Sequence, residues 1–180
     1  TTTLSEQHSK VDTMIIICTA SADTYITDKI VNGNIRVTDA NVGRASTLDL
    51  FTLYNETKLE GTGTQTEVSR ALLKFDLSPI TELTSSILNL NSGRFSATLE
   101  MKDIMTGHAV PRNFTLSAFP LSQSFDEGVG IDTGRFNDVD TANYVTASYT
   151  TQNNVWFTSG AMASGLLGSN DIDYIYSGNL

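Results

Sequence analysis

The sequence contains a single cysteine, Cys18, and only two histidines, His8 and His108. One cysteine cannot form a disulfide within the chain, and it excludes a cysteine-rich metal site. The histidines do not occur in a spacing such as H-x-x-x-H, so a histidine-based metal site would need ligands from distant segments. Cys18 ends an isoleucine run, and we interpret it as a small buried hydrophobic residue rather than a catalytic thiolate.

The chain also lacks a long hydrophobic run. Its longest apolar stretch, residues 14–18 (MIIIC), is far too short to span a bilayer. The same stretch is a poor secretion signal, because Glu6 and Asp12 precede it and no A-x-A-like cleavage site follows it. The sequence therefore predicts no membrane partner.

Basic residues are scarce. The chain has 11 Lys and Arg against 20 Asp and Glu, which gives a net charge of -9. From Leu121 onward Arg135 is the only basic residue, against seven Asp and Glu residues. Such a charge opposes binding to phosphate groups, so no nucleic-acid partner is predicted.

What the chain does contain is a series of short β-type segments separated by turn residues. No segment shows a long helical period, and residues 159–169 are too rich in glycine for a stable helix. A series of short strands of this kind predicts an all-β fold, and we expect an antiparallel β-sandwich of jelly-roll type. The predicted strands are 13–20, 23–27, a hairpin over 30–37 with its turn at 32–34, 48–54, 70–75, 86–90, 96–101, 114–119, 155–158 and 171–176.

The domain organisation follows from the same pattern. Residues 1–12 are polar and aperiodic, which predicts a flexible N-terminal arm. Residues 13–180 are expected to form one β-sandwich domain, in which 123–170 is rich in loops. The sandwich is expected to be incomplete at its C-terminal end, because a turn signal follows the 171–176 strand. We therefore expect another subunit, or residues of a longer parent protein, to pair with that strand.

Three apolar residues are predicted to lie in the core, Leu72, Phe75 and Leu90. Leu73 is adjacent to Leu72 on the same strand, and neighbouring residues on a strand point to opposite faces of the sheet. Leu73 is therefore expected to contact a second layer or an interface.

Sequence patterns of enzymes are missing. The chain has no G-x-S-x-G elbow, and the Gly61-Thr62-Gly63 stretch lacks the third glycine and the following helix of a dinucleotide-binding loop. The acids Asp126, Glu127, Asp138 and Asp140 lie in a Gly-rich loop region and could meet in space.

Three roles stay open for these acids. They could be solvated or cap turns, they could form a calcium site from loop oxygens, or they could catalyse sugar hydrolysis as a carboxylate pair. We favour the first role and predict a non-enzymatic protein without a cofactor. Calcium is the alternative to that expectation, with Asp126, Asp138 and Asp140 as its candidate ligands.

Aromatic side chains are the other candidate site residues, because sugar-binding proteins stack flat rings on pyranose faces. Tyr144 and Trp156 are the candidates for carbohydrate binding. Trp156 follows a polar Gln-Asn-Asn stretch, which is compatible with a rim position. Core packing is the favoured interpretation of the single tryptophan.

Three segments in order resemble a known family. Residues 22–26 (ADTYI) are followed by 41–43 (NVG) and then by 70–78 (RALLKFDLS). This order resembles the DNRLRE-type domain, a β-sandwich similar to carbohydrate-binding modules. In that family an A-D-[ST]-[YF] strand, an N-Y-G turn and an R-x-L-[LI]-x-F-D-L strand occur. Residues 124–128 (SFDEG) are similar to the family's W-x-E-G turn, with Phe125 in place of tryptophan.

Residues 125–148 look closest to versions of this domain in tailed-phage structural proteins. The resemblance implies a non-enzymatic structural component of a bacteriophage virion, in the tail, baseplate, neck or capsid exterior. Its partners would be copies of itself and other virion proteins, met through strand edges and loops. The alternative is a carbohydrate-binding or adhesion module of a cell-surface or secreted protein. Host surface polysaccharide is a further partner that the resemblance suggests.

Overall fold

The computed structural model describes residues 14–56, 65–84, 89–104, 113–134, 141–148 and 154–176. Regular structure in these ranges is mostly strand, which agrees with an all-β fold, although no closed sandwich is formed in them. The strands are β1 (Ala20–Thr27), β2 (Ile30–Val31), β3 (Ile35–Arg36), β4 (Thr52–Tyr54), β5 (Thr66–Phe75), β6 (Thr146–Ser148), β7 (Asn154–Val155), β8 (Ser164–Gly165) and β9 (Tyr174–Ile175). The described residues also contain a short helix, α1 (Ser78–Thr84).

The largest sheet is three-stranded, with β5 in the centre between β1 and β4. β1 and β5 pair antiparallel, with Ala20 opposite Phe75 at one end and Thr27 opposite Ser69 at the other. The predicted strands 23–27 and 70–75 are therefore confirmed as parts of longer strands. Of the predicted strand 48–54, only the last three residues form β4.

The predicted hairpin is also confirmed. β2 and β3 pair with Val31 opposite Ile35, and the Asn34 amide donates to the Val31 carbonyl over 3.2 Å. Asn32 and Gly33 both have positive φ angles, 51° and 74°. Two successive positive φ values define the turn that matches the twist of a β-hairpin, and Asn-Gly adopts them readily.

β5 ends at Phe75, shortly before Pro79. Pro79 has no amide to donate to a neighbouring strand, and it lies at the second position of α1. Asp76 accepts hydrogen bonds from the amide and the hydroxyl of Ser78, at 3.0 and 2.6 Å. These two bonds cap the start of the helix.

The predicted buried strand over 13–20 is wrong for the described residues 14–19. They form no strand, and Ile15 and Ile17 are 81% and 83% exposed. The reason lies in the partner strand, because β5 ends at Phe75, directly opposite Ala20. The residues before Ala20 continue past the end of β5 and have no neighbour in this sheet.

Two further predicted strands, 96–101 and 114–119, are not formed. Both segments are irregular, and within the described ranges no backbone hydrogen bond involves residues 96–104 or 113–119. Of the predicted strand 86–90, residues 89 and 90 are described and form no strand. Leu90 is 46% exposed, so its placement in the core is also wrong.

The last part of the chain forms two small sheets, β6 with β7 and β8 with β9. β8 and β9 pair in parallel, with Ser164 opposite Tyr174. Tyr174 also forms an antiparallel bridge with Leu121. The expectation that another subunit, or residues of a longer parent protein, would pair with the 171–176 strand is therefore wrong for β9, which has a neighbour of the same chain on each side.

Other predictions for this region have mixed outcomes. Residues 159–169 contain no helix, as expected, and β7 covers only the first residue of the predicted strand 155–158. The predicted arm, residues 1–12, lies outside the described residues.

The core joins the large sheet to the C-terminal region. Ile26 of β1 and Leu72 of β5 lie in one buried cluster with Phe125 and Trp156. Small side chains complete the cluster, at Ala142, Ala147 and Ala161. The prediction for Leu72 is confirmed, whereas Phe75 and Leu73 are both half-buried.

Leu72→Ala is expected to lower the free energy of unfolding by about 2–5 kcal/mol, since a buried leucine that is truncated loses apolar burial and leaves a cavity. Leu72 is 3% exposed and contacts the core cluster. Urea denaturation measures the change. Leu77→Ala is the matched control, because Leu77 is 52% exposed. Equal losses for the two variants would contradict the placement of Leu72 in the core.

Candidate functional site

The Gly-rich loop region that begins with Asp126 and Glu127, which we call the acidic loop, is anchored at its start by a buried asparagine, Asn41. The Asn41 Nδ2 donates to the carbonyls of Glu127 and Ala142, both over 2.8 Å. The Asn41 Oδ1 accepts from the amides of Gly43, over 3.1 Å, and Gly130, over 2.8 Å. All the capacity of one amide side chain is thus used to hold residues 127–130 and 142 against the 41–43 turn.

Glycine is required at two of these contacts. A Cβ at Gly43 would lie 2.0 Å from the Glu127 carbonyl oxygen, and one at Gly130 would lie 1.9 Å from that of Asn41. Backbone atoms cannot move aside as a flexible side chain can, so a larger residue would separate the two segments. Gly43 and Glu127 belong to the segments 41–43 and 124–128, which are two of the segments that carry the family resemblance.

The two acids at the start of the loop have structural contacts. The Glu127 Oε1 accepts from the Asp23 amide over 2.8 Å, which ties the loop to β1. The main chain of Asp126 bonds to Ala147 and Ala142, at 3.0 and 2.9 Å. Glu127 thus has a role in fixing the loop.

The other acids of the calcium prediction, Asp138 and Asp140, lie outside the described residues. Among the residues that are described, no group of three His, Cys, Asp or Glu side chains is placed to hold a metal ion. The calcium site with Asp126 as a ligand stays a prediction.

The two aromatic candidates are not in equivalent positions. Trp156 is 3% exposed and belongs to the core cluster, and its Nε1 donates to the Asn143 carbonyl over 2.8 Å. Tyr144 is half-buried, and its ring lies so close to Gly160 that an added Cβ would be 2.6 Å from its Cζ. Burial raises the pKa of Tyr144. In this arrangement the indole of Trp156 offers no free face for stacking on a sugar.

Two buried carboxylates had no signal in the sequence. Asp173 has no exposed surface, and its oxygens accept from the amides of Phe157, Thr158 and Ala163, at 2.6, 3.0 and 2.9 Å. Glu67 accepts from the Ile30 amide over 2.7 Å. The alternation of polar and apolar residues around Asp173 and along β5 could not reveal that these carboxylates are buried, because their hydrogen-bond donors lie in other segments of the chain. Buried carboxylates bonded to backbone amides organise loops.

A different candidate site consists of exposed apolar side chains on two segments, which together we call the apolar surface: Phe95, Leu99 and Met101 on the first, and Phe114 and Leu116 on the second. These side chains are 39–66% exposed. Apolar and polar residues alternate in both segments, RFSATLEMK and NFTLSA. Alternation of this kind is typical of a strand with one covered face. Here the side chains stay exposed, and among the described residues no backbone hydrogen bond involves 96–102 or 113–118.

A second feature is an aromatic cluster of Phe119, Tyr174 and Tyr176, of which the first two are half-buried. The ring centre of Phe119 lies 5.1 Å from that of Tyr174 and 5.7 Å from that of Tyr176. The bridge between Leu121 and Tyr174 places Phe119 across from Tyr176, so the three rings share one face. Tyr176 is the outermost of them, with half of its surface exposed.

Tyr25 of β1 makes the stability of the folded protein depend on pH. Burial, together with the charges of Asp49 and Asp132, raises the pKa of Tyr25 to about 12. A tyrosine whose pKa is higher in the folded than in the unfolded chain loses its stabilising effect as the pH rises from the unfolded to the folded value. Stability is therefore expected to fall between about pH 10, the usual tyrosine pKa, and about pH 12.

Tyr25→Phe is expected to reduce this fall, because phenylalanine has no proton to lose. Denaturation midpoints across the alkaline range measure the effect. Tyr54→Phe, at a tyrosine that is 69% exposed, is the matched control and should keep the slope of the parent protein. An unchanged slope in Tyr25→Phe would contradict the burial of the hydroxyl.

Comparison with family models, curated proteins and solved structures found no match. None of the described residues belongs to a helix with the length and apolar character needed to cross a bilayer.

Proposed function

We propose that the protein is a non-enzymatic structural component of a bacteriophage virion, placed in the tail, baseplate, neck or capsid exterior. Its fold would be an antiparallel β-sandwich of the DNRLRE type. The observation that carries the proposal is the exposed apolar surface, whose side chains are 39–66% exposed. Among the described residues, no backbone hydrogen bond involves 96–101 or 114–116. Exposed apolar patches with free strand-like backbone are a common basis of protein association.

Charge supports the same assignment. The whole chain has a net charge of -9, yet the segments that form the apolar surface are nearly neutral. Arg94 and Lys102 balance Glu100 and Asp103 within residues 89–104, and residues 113–118 contain no charged residue. Like-charged copies can therefore approach one another here with little repulsion.

The family resemblance supports the proposal in a second way. The 41–43 turn and the 127–130 segment are far apart in the sequence and are joined through Asn41. Contacts of this kind give the segments a structural role, and the buried oxygens of Asp173 are likewise bonded to backbone amides. Both observations favour a structural role over a catalytic one for these residues.

Two measurements test the proposal. Sedimentation velocity over a wide concentration range should show species larger than the 19.5 kDa chain. Immunogold labelling with an antibody against the chain should mark tailed particles produced from the genome that encodes it. A strictly monomeric protein together with unlabelled particles would overturn the proposal.

A matched pair of variants locates the contact. Leu116→Glu places a charge in the apolar surface and should shift the sedimentation profile towards the monomer. Leu167→Glu changes another exposed leucine outside that surface and should leave the profile unchanged. Equal effects of the two variants would show that association does not use the apolar surface.

The aromatic cluster favours a second candidate function, carbohydrate binding in adhesion. Exposed tyrosine rings can stack on sugar rings while their hydroxyl groups stay in water. Affinity electrophoresis in gels that contain polysaccharide would reveal retardation if the cluster binds sugars. Tyr176→Ala should then abolish the retardation, and Tyr54→Ala, a change at another exposed tyrosine, should keep it. Unretarded migration in a panel of polysaccharides would remove this alternative.

A further inference from the structure

The two segments of the apolar surface are complementary to each other. In residues 95–101 the apolar side chains occupy odd positions, and in residues 114–118 they occupy even positions. An antiparallel alignment with Leu99 opposite Leu116 therefore brings every apolar residue to the same face. It also places Met101 opposite Phe114 and Ala97 opposite Ala118, with polar pairs on the other face.

The alignment is specific because a shift by one residue would destroy it. Side chains on a strand alternate with a period of two, so a shift of one residue would place Leu99 opposite Thr115 or Ser117. Each apolar residue would then face a polar one. The matched alternation thus selects one family of registers between these two segments.

The side chains of both segments are exposed, and no backbone hydrogen bond joins 96–101 or 114–118 to any other described residue. Free amide and carbonyl groups in an extended segment favour addition of another strand. A second copy of the chain offers both complementary segments at once. It also meets this surface where the local charge is close to zero.

We infer that the apolar surface is an interface between two copies of this chain. Residues 95–101 of one copy pair antiparallel with residues 114–118 of the other, and the same contact is repeated in reverse. Such a reciprocal contact is the arrangement of a twofold-symmetric dimer. Each copy thereby gains two strands, and the apolar faces of the two new ribbons are available to pack together. This inference rests on the proposed function, because it names the partner and the register of the same assembly surface.

Disulfide trapping tests the inference directly. Cys18 is first replaced by serine, because it is the chain's own cysteine. Protein with Leu99→Cys is then mixed with protein that carries Leu116→Cys, under mild oxidation. Opposed residues on paired strands lie within disulfide distance, so a heterodimer should dominate on non-reducing gels.

The matched control replaces Thr115 instead of Leu116, since its side chain would point to the opposite face. We expect about tenfold less heterodimer from Leu99→Cys with Thr115→Cys, because the two thiols lie on opposite faces of the ribbon. A chain with both Leu99→Cys and Leu116→Cys completes the set. An internal disulfide in that chain, without heterodimer in the mixture, would overturn the inference in favour of pairing within one chain.

The remaining outcomes separate the inference from the proposed function. If larger species sediment but neither mixture forms a specific heterodimer, the inference fails and assembly through other surfaces stands. If the chain sediments as a monomer at every concentration, self-association fails altogether, and with it the inference. Labelled phage particles in that case would still support a virion role through other virion proteins.

Discussion

Asp173→Ala is expected to lower the free energy of unfolding by roughly 3–6 kcal/mol, because a hydrogen bond to a charged group contributes about 1.5–3 kcal/mol and three such bonds, not fully additive, are lost. The carboxylate has no exposed surface, and it accepts from the amides of Phe157, Thr158 and Ala163. No other acceptor for these three amides is found among the described residues. The loss should appear as a fall of about 10 °C in the midpoint of thermal unfolding, judged from the entropy change of a domain of this size.

Asp173→Asn tests the mechanism behind this loss. The amide keeps one oxygen acceptor but presents an NH2 group to at least one backbone N–H group, and two donors cannot bond to each other. The asparagine variant should therefore also be strongly destabilised. Asp76→Asn changes an exposed aspartate and should leave the midpoint nearly unchanged. Parent-like stability of Asp173→Asn would contradict the three-amide arrangement.

Asn41→Ala is the second large effect that we expect, a loss of roughly 3–6 kcal/mol in the free energy of unfolding, since two amides and two carbonyls lose their partner. Asn41 has no exposed surface, and it joins the 41–43 turn to residues 127–130 and to Ala142. Chemical denaturation measures the loss. Hydrogen exchange of the Gly130 amide should speed up in parallel, because that amide loses its acceptor.

Asn41→Asp separates the hydrogen bonds from the shape of the side chain. It keeps an acceptor for Gly43 and Gly130, but its second oxygen would face the carbonyl oxygens of Glu127 and Ala142. This repulsion should make the aspartate variant unstable at neutral pH. Asn89→Ala removes an exposed asparagine whose side chain accepts from the Asn91 amide, so it should cost little. A parent-like Asn41→Asp variant would show that the Nδ2 contacts do not matter.

Whether a predicted strand forms depends on whether it has a neighbour. The alternation in 23–27 and the apolar run in 70–75 predict strands correctly, because β1 and β5 pair with each other. The runs at 14–19 and 96–101 have equally strong β patterns, yet they form no strand. A strand is stabilised by backbone hydrogen bonds to a partner, and sequence pattern does not report whether a partner is in reach.

For the candidate sites too, local sequence pattern locates a segment, but contacts with distant residues decide what its side chains do. The acidic loop could be located from its composition, but its anchor at Asn41 could not, because the residues that it binds lie far along the chain. Tyr144 and Trp156 were both candidates for carbohydrate binding, although core packing was the favoured interpretation of Trp156. Packing against Ala161 and the rest of the core buries Trp156 almost completely.

The sequence by itself determined the β character of the chain, the Asn-Gly hairpin and the end of β5 before Pro79. Each of these depends on local backbone preferences or on alternation within a few residues. Only the tertiary structure decided that Asp173 and Asn41 are buried and bonded, that β9 is paired within the chain, and that the apolar surface stays open. These outcomes depend on contacts between residues that are distant in the sequence, and such contacts form only when the chain has folded.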